Sequence, residues 1–139
     1  MEFIYEEIRI PEKRTFVTRS MSMDPEQSRI HSHRNFELNL ITAGAGRRIV
    51  GNHISSYRKG DLVLLGPNLY HCWEVQEPGP EGDASCIVTH FSENIIHSGF
   101  FNIPELESVI SLLQEAGQGI FFTGKKAARV AVSLEKMVK

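Results

Sequence analysis

The hydrophobic pattern changes period once along this chain, and that change decides its architecture. Up to about Phe91 apolar and polar residues alternate in short runs, and from about Asn102 apolar residues recur at three and four positions. The first pattern is that of strands and the second that of amphipathic helices. Segments 15–18, 35–42, 47–50, 53–57, 61–65, 71–75 and 84–91 are predicted strands. Turn chemistry separates them at Ala43-Gly44-Ala45-Gly46, Gly51-Asn52, Lys59-Gly60 and from Pro78-Gly79-Pro80 to Gly82-Asp83. Many short strands with no helix between them predict a mainly β fold, a sandwich or barrel.

Two helices are predicted after the strands. Pro104 opens the first, whose stripe is Leu106, Val109, Ile110 and Leu113, with Gly117 as its C-terminal cap. Thr123 is the expected N-cap of the second, whose stripe of Ala127, Val130, Ala131, Leu134, Met137 and Val138 runs to the last residue without a stop signal. That ending predicts a cut inside a longer protein. The expected organisation is a β-barrel over 1–100 and a helical extension over 101–139.

Composition narrows the function classes. Fifteen Lys and Arg against seventeen Asp and Glu leave a net charge of −2, so the chain lacks the basic excess of a nucleic-acid module. By itself it is not expected to hold DNA. Met1 to Ile10 carries three glutamates and no long apolar run, so neither a signal peptide nor a membrane span is predicted. The two cysteines, Cys72 and Cys86, without a secretory leader, read as reduced thiols of a cytoplasmic protein. At 139 residues the chain can bury a core without metal or disulfide staples, so a bound metal is expected to be functional.

The chemistry concentrates in His31-Ser32-His33-Arg34-Asn35-Phe36-Glu37, followed seven positions on by Gly44. In an extended segment His31, His33 and Glu37 have the same parity and project to one side. Two imidazoles and a carboxylate are the donors wanted by a divalent first-row metal. The run from Gly60-Asp61 through Gly66-Pro67 to His71 gives a turn, a buried strand, a loop and a fourth donor. The expected metal ligands are therefore His31, His33, Glu37 and His71, with Zn, Ni, Mn or Fe all compatible. The other reading of the same residues is a polar, metal-free pocket of hydrogen-bonded histidines.

These two stretches resemble the two motifs of the cupin superfamily, whose fold is a double-stranded β-helix or jelly-roll barrel. The first matches from His31 onward. The second matches through Gly60, Pro67 and His71, is one residue shorter, and carries Val75 where many members have asparagine. The stretches 36–48 and 60–73, then His90-Phe91, Pro104-Glu105-Leu106 and 119–122, are similar to the N-terminal sensing domain of AraC-type transcription regulators. That resemblance implies a cupin barrel that binds a small-molecule effector, often a carbohydrate. It implies a homodimer formed through the terminal helices, and DNA contact only through a C-terminal domain outside this chain. It implies no enzymatic activity. The alternative is a stand-alone metal-dependent cupin enzyme, a dioxygenase or isomerase.

Asn39 and Ile41 share parity with Glu37, and Trp73 shares parity with His71. Asn39 and Trp73 are therefore expected to contact an effector and Ile41 to pack in the core. Arg47 suits an anionic effector, although such arginines are more often ion-paired at the surface. His90 is expected to face inward as a further effector contact. Tyr70 is placed at the rim, and His53 and His97 toward solvent. Phe36, Leu38 and Leu40 make the other face of their strand apolar too, which requires a cover from the helices or a partner subunit.

Overall fold

The computed structural model describes residues 3–23, 28–92, 94–95 and 99–139. Among these residues ten strands form: β1 (Ile4–Tyr5), β2 (Phe16–Ser22), β3 (His31–Ser32), β4 (Phe36–Ala43), β5 (Ala45–Val50), β6 (His53–Tyr57), β7 (Leu62–Leu65), β8 (His71–Glu77), β9 (Ser85–Phe91) and β10 (Ile120–Phe122). The helices are α1 (Glu107–Glu115) and α2 (Gly124–Met137), with short 3-10 turns at Phe100–Asn102, Pro104–Leu106 and Ala116–Gln118. All seven strands read from alternation are present. Three very short ones, β1, β3 and β10, join them.

The strands make two five-stranded sheets, ordered β1-β3-β8-β5-β6 and β10-β7-β4-β9-β2, antiparallel except for β1 beside β3. Their inner faces enclose one core of Met23, Ile41, Val50, Tyr57, Val63, Leu65, Trp73, Cys86 and Val88. Ile41 lies where parity puts it, packed in this core. Full burial of large apolar side chains such as Leu65 contributes about 2 kcal/mol each. Cys72 and Cys86 are both buried and unpaired, and no helix among the described residues is long and apolar enough to cross a membrane.

The apolar outer face of β4 receives its cover from this same chain. Leu40, Leu62 and Ile87 pack under Leu134, Ala127 and Ala131 of α2. Phe36 and Leu64 pack against Ala116, Leu112, Leu113 and Ile120. The segment after residue 101 is thus not only helical, because β10 extends the barrel sheet by pairing with β7. The stop after α1 also falls later than the sequence suggests. The left-handed residue there is Gly119, at φ 80°, and not Gly117. Thr123 does occupy the N-cap position of α2, with extended backbone.

Leu134 is 4% exposed and is the one fully buried side chain of α2. Leu134→Ala is expected to lower the unfolding free energy by about 2 kcal/mol through lost transfer and a residual cavity. Urea titration would measure it, and an unchanged midpoint would show that α2 does not rest on the barrel through this contact.

Candidate functional site

Glu37 is the centre of the site. It lies on the inner face of β4, 4% exposed, opposite His90 of β9 and Leu65 of β7 in the ladder. Three imidazoles converge on its Oε2: His33 Nε2 at 2.8 Å, His90 Nε2 at 3.1 Å and His71 Nε2 at 3.5 Å. Asn39 donates its Nδ2–H to the other oxygen, Oε1, at 3.0 Å. His71 reaches the group because β8 pairs with β5 at Val50 and with β3 at His31. The loop before it is pinned where Asn68 N–H donates to the His33 carbonyl at 2.7 Å.

The ring nitrogens carry the chemical information. Nδ1 of His31, His33 and His71 each lies 2.7–3.0 Å from a main-chain carbonyl, those of Arg29, Asn35 and Leu69. A carbonyl oxygen only accepts, so Nδ1 is the protonated nitrogen in all three rings. In a neutral ring that leaves Nε2 with a bare lone pair. For His33 and His71 this lone pair faces a carboxylate oxygen, and His71 Nε2 has no hydrogen-bond partner among the described residues. Two lone pairs aimed at an anion repel unless a proton or a metal cation stands between them. Backbone-anchored Nδ1 is also the arrangement that orients a histidine for ligation through Nε2.

Electrostatics agree with that geometry. Burial pushes the Glu37 carboxyl up, but the hydrogen bonds of His33 and His90 and the close approach of His71 outweigh it and hold the group well below its ordinary 4.5. Burial lowers His33, yet the Glu37 carboxylate prevails and raises that ring above its ordinary 6.5. His31 moves the other way, lowered first by burial and then by its neighbour His71.

The donor set therefore fits a divalent metal. His33, Glu37 and His90 are the tightest group, their ligating atoms lying within 4.8 Å of one another. His71 is the adjacent fourth donor. His31, expected among the ligands, is not in that group: its Nε2 faces Glu6 at 3.9 Å while its ring packs 4.3 Å from that of His71. The chain turns away from regular strand between β3 and β4, so the parity that joins His31 to Glu37 does not extend across residues 33–35. His90, which the sequence assigns to effector contact, instead bonds Glu37. Its signal is a strand register spanning 53 residues of sequence, which no local pattern carries.

The remaining expectations separate by face. Asn39 and Trp73 are buried beside the cluster, with Trp73 5.6 Å from the His71 ring. Asn39 Oδ1 and Trp73 Nε1 have no hydrogen-bond partner among the described residues. Arg47 points away from the interior and pairs with Glu74 at 2.6 Å, half exposed. Its neighbour Arg48 is the inward one, opposite Trp73. It is buried on Ser55 and Asp61, and Phe121 lies 4.5 Å above its guanidinium. Tyr70 is 48% exposed at the rim against Phe3, and His53 is exposed. His97 lies outside the described residues. Cys86, next to the cluster, is no nucleophile, because burial pushes its thiol up to about 12.

Comparison with known proteins adds the fold. No protein-family profile matches the chain, and no curated protein matches it in sequence. Among solved structures, ToxT from Vibrio cholerae O395, bound to (E)-4-(8-methylnaphthalen-1-yl)but-3-enoic acid, is 15% identical over 89% of this chain and 49% of its own, at a TM-score of 0.52. An apo lysine-to-alanine variant of ToxT from Vibrio cholerae strain SCE256 is 11% identical over 89% and 48%, also at 0.52. Weaker likenesses are a tryptophan-to-phenylalanine variant of oxalate decarboxylase from B. subtilis (19% identical, 74% and 29% covered, TM-score 0.43) and a cupin 2 conserved barrel protein from Rhodopseudomonas palustris (17%, 60% and 68%, 0.40). The likeness to the two ToxT structures agrees with the mainly β, two-sheet fold described above. The chain spans about half the length of the ToxT chains and under a third of the decarboxylase.

Proposed function

We propose that this chain is the effector-sensing and dimerisation domain of an AraC-like transcription regulator of the cytoplasm. Its effector is a small molecule, with carbohydrate the class the resemblance suggests, and DNA is met through a further domain. The observation that carries this reading is that one strand serves two functions. Glu37 and Asn39 of β4 face the polar cluster, while Leu38 and Leu40 of the same strand lie under α2. A ligand that repositions the inner face biases the packing of the helices on the outer face, which is the linkage a sensor requires. The fold likeness to ToxT, a protein crystallised with a small organic acid, supports it.

A second reading, a stand-alone metal-dependent cupin enzyme, is favoured by the unpaired His71 Nε2 and the completeness of the donor set. Such a metal would supply Lewis acidity or an open coordination position. Translation of the reading frame past Lys139 separates the two. About a hundred further residues with two helix-turn-helix units are expected, whereas an immediate stop codon removes the regulator reading. In the longer protein, effector must change DNA affinity, and an unchanged affinity removes it as well.

Metal affinity is expected to be weaker at pH 5 than at pH 7.5. Ligating imidazoles must be neutral, and the raised His33 lets protons compete from above 6.5 downward, while the low-lying Glu37 stays ionised through that range. Equal occupancy in the two buffers, measured by elemental analysis, would count against His33 as a ligand.

A further inference from the structure

The net charge of −2 hides a segregation of charge along the chain. Residues 123–139, which carry α2, hold five basic groups, Lys125, Lys126, Arg129, Lys136 and Lys139, against the single acid Glu135. The rest of the chain holds ten basic groups against sixteen acids. A polyanion repelled by the molecule as a whole is therefore attracted to this one element.

Helical geometry gathers that charge on one line. Ala127, Ala131, Leu134 and Val138 are the α2 positions packed on the barrel. At about 100° per residue, Lys125, Arg129 and Lys136 fall within about 40° of one another and about 180° from the centre of that packed stripe. All three are exposed, and none has an ion-pair partner among the described residues, unlike Arg47 on Glu74 and Arg48 on Asp61. Glu135 lies on the flank, about 100° from the line. From Lys125 to Lys136 the helix rises about 16 Å.

This placement does not serve the helix itself. Lys125 and Lys126 stand at the positive end of its macrodipole, where the first turn carries no acidic residue. Lys125 and Arg129 are a like-charged pair one turn apart, which repel. A bilayer does not suit the face, because the apolar stripe of α2 is already packed on the barrel and exposed Val132 points away from exposed Val130 and Met137. A second copy does not suit it either, since two-fold pairing of the line with itself sets like charges against each other. Duplex DNA does: it carries about one charge per 1.7 Å of its axis, so a straight basic line lies against several phosphates without reading a base.

We infer that the solvent face of α2 binds the phosphate backbone of duplex DNA through Lys125, Arg129 and Lys136, with Lys126 beside them. The contact is independent of base sequence. It goes beyond the regulator reading, in which DNA is met through a further domain, and it stands without that domain.

The test is fluorescence anisotropy of a labelled duplex of about 20 base pairs and scrambled sequence, titrated with the 139-residue chain at rising salt. Saturable binding at low salt is expected, with log affinity falling against log salt at a slope of about −3, roughly one per phosphate neutralised. Lys125→Gln/Arg129→Gln should weaken binding about tenfold or more and flatten the slope by about 2. Arg34→Gln/Arg47→Gln removes the same charge away from α2 and should stay within about twofold of the parent. All four positions are exposed, and circular dichroism would confirm that both double variants keep the parent fold. No saturable binding at low salt, equal weakening by the two double variants, or tighter binding to phosphatidylserine-containing vesicles than to DNA would overturn the inference. A stop codon after Lys139 with DNA binding intact removes the regulator and keeps this contact. A chain that continues into DNA-binding helices while residues 1–139 alone bind no DNA does the reverse.

Discussion

Glu37→Ala is expected to lower the unfolding free energy at pH 7 by about 4 kcal/mol, the cost of leaving several buried polar partners without their counterpart. The carboxylate is the acceptor for His33, His90 and Asn39, all of them buried, and nothing else in the site replaces it. Bound metal should fall from about one per chain to near zero, since the loss removes the only anionic ligand of the set. Glu37→Gln separates the two effects. It keeps the volume and one acceptor oxygen, so it should retain most of the stability while still losing the metal. Urea unfolding and elemental analysis on the three proteins provide the measurements, and an alanine variant as stable and as metal-loaded as the parent would remove Glu37 from the centre of the site. The acid limb provides an independent check. A carboxyl held below 4.5 contributes stability that is present above that pH and is lost as pH falls through its folded value. The parent should therefore weaken more steeply in acid than Glu37→Ala. His31 and His33 shift in opposite directions, so their contributions near pH 6.5 oppose each other.

What could be read in advance follows from how local the signal is. Alternation locates β4 and, through parity, places Glu37, Asn39 and Ile41 on one face and Leu38 and Leu40 on the other, because two residues per repeat is a property of the strand itself. Strands β1 and β10 escape because two or three residues are too few to show a period, and Ile120-Phe121-Phe122 between two helices reads as part of neither. Cross-sheet relations are the other loss. Nothing near His90 announces that it opposes Glu37, and nothing near Arg47 says that Arg48, not it, opposes Trp73 on the inner face. The ion pair of Arg47 with Glu74 is likewise a register fact, set by the β5–β8 ladder. The side-chain types of a metal site were legible, whereas their final grouping required the sheet order.

The ladder that sets those relations can itself be broken at one residue. A Cβ on Gly46 would fall on the carbonyl oxygen of Glu74 and lie 2.9 Å from the Gln76 nitrogen, both fixed backbone atoms that no rotamer change can move. Gly46 sits where the β5–β8 register shifts, and the ladder beyond it pairs Arg48 with Trp73 and Val50 with His71. Relieving the clash means separating the strands, so Gly46→Ala should cost about 4 kcal/mol and carry His71 out of place. Gly60→Ala is the matched control: at φ 93° with nothing within 4 Å of the added methyl, it meets backbone strain alone and should cost about 1 kcal/mol. Metal affinity should follow the same split, falling about tenfold or more in the Gly46 variant, as expected when a ligand loses its support, and staying at the parent value in the other. Equal stability of the two alanine variants would mean that β5 and β8 do not approach closely at Gly46, and the position of His71 beside Glu37 would lose its support.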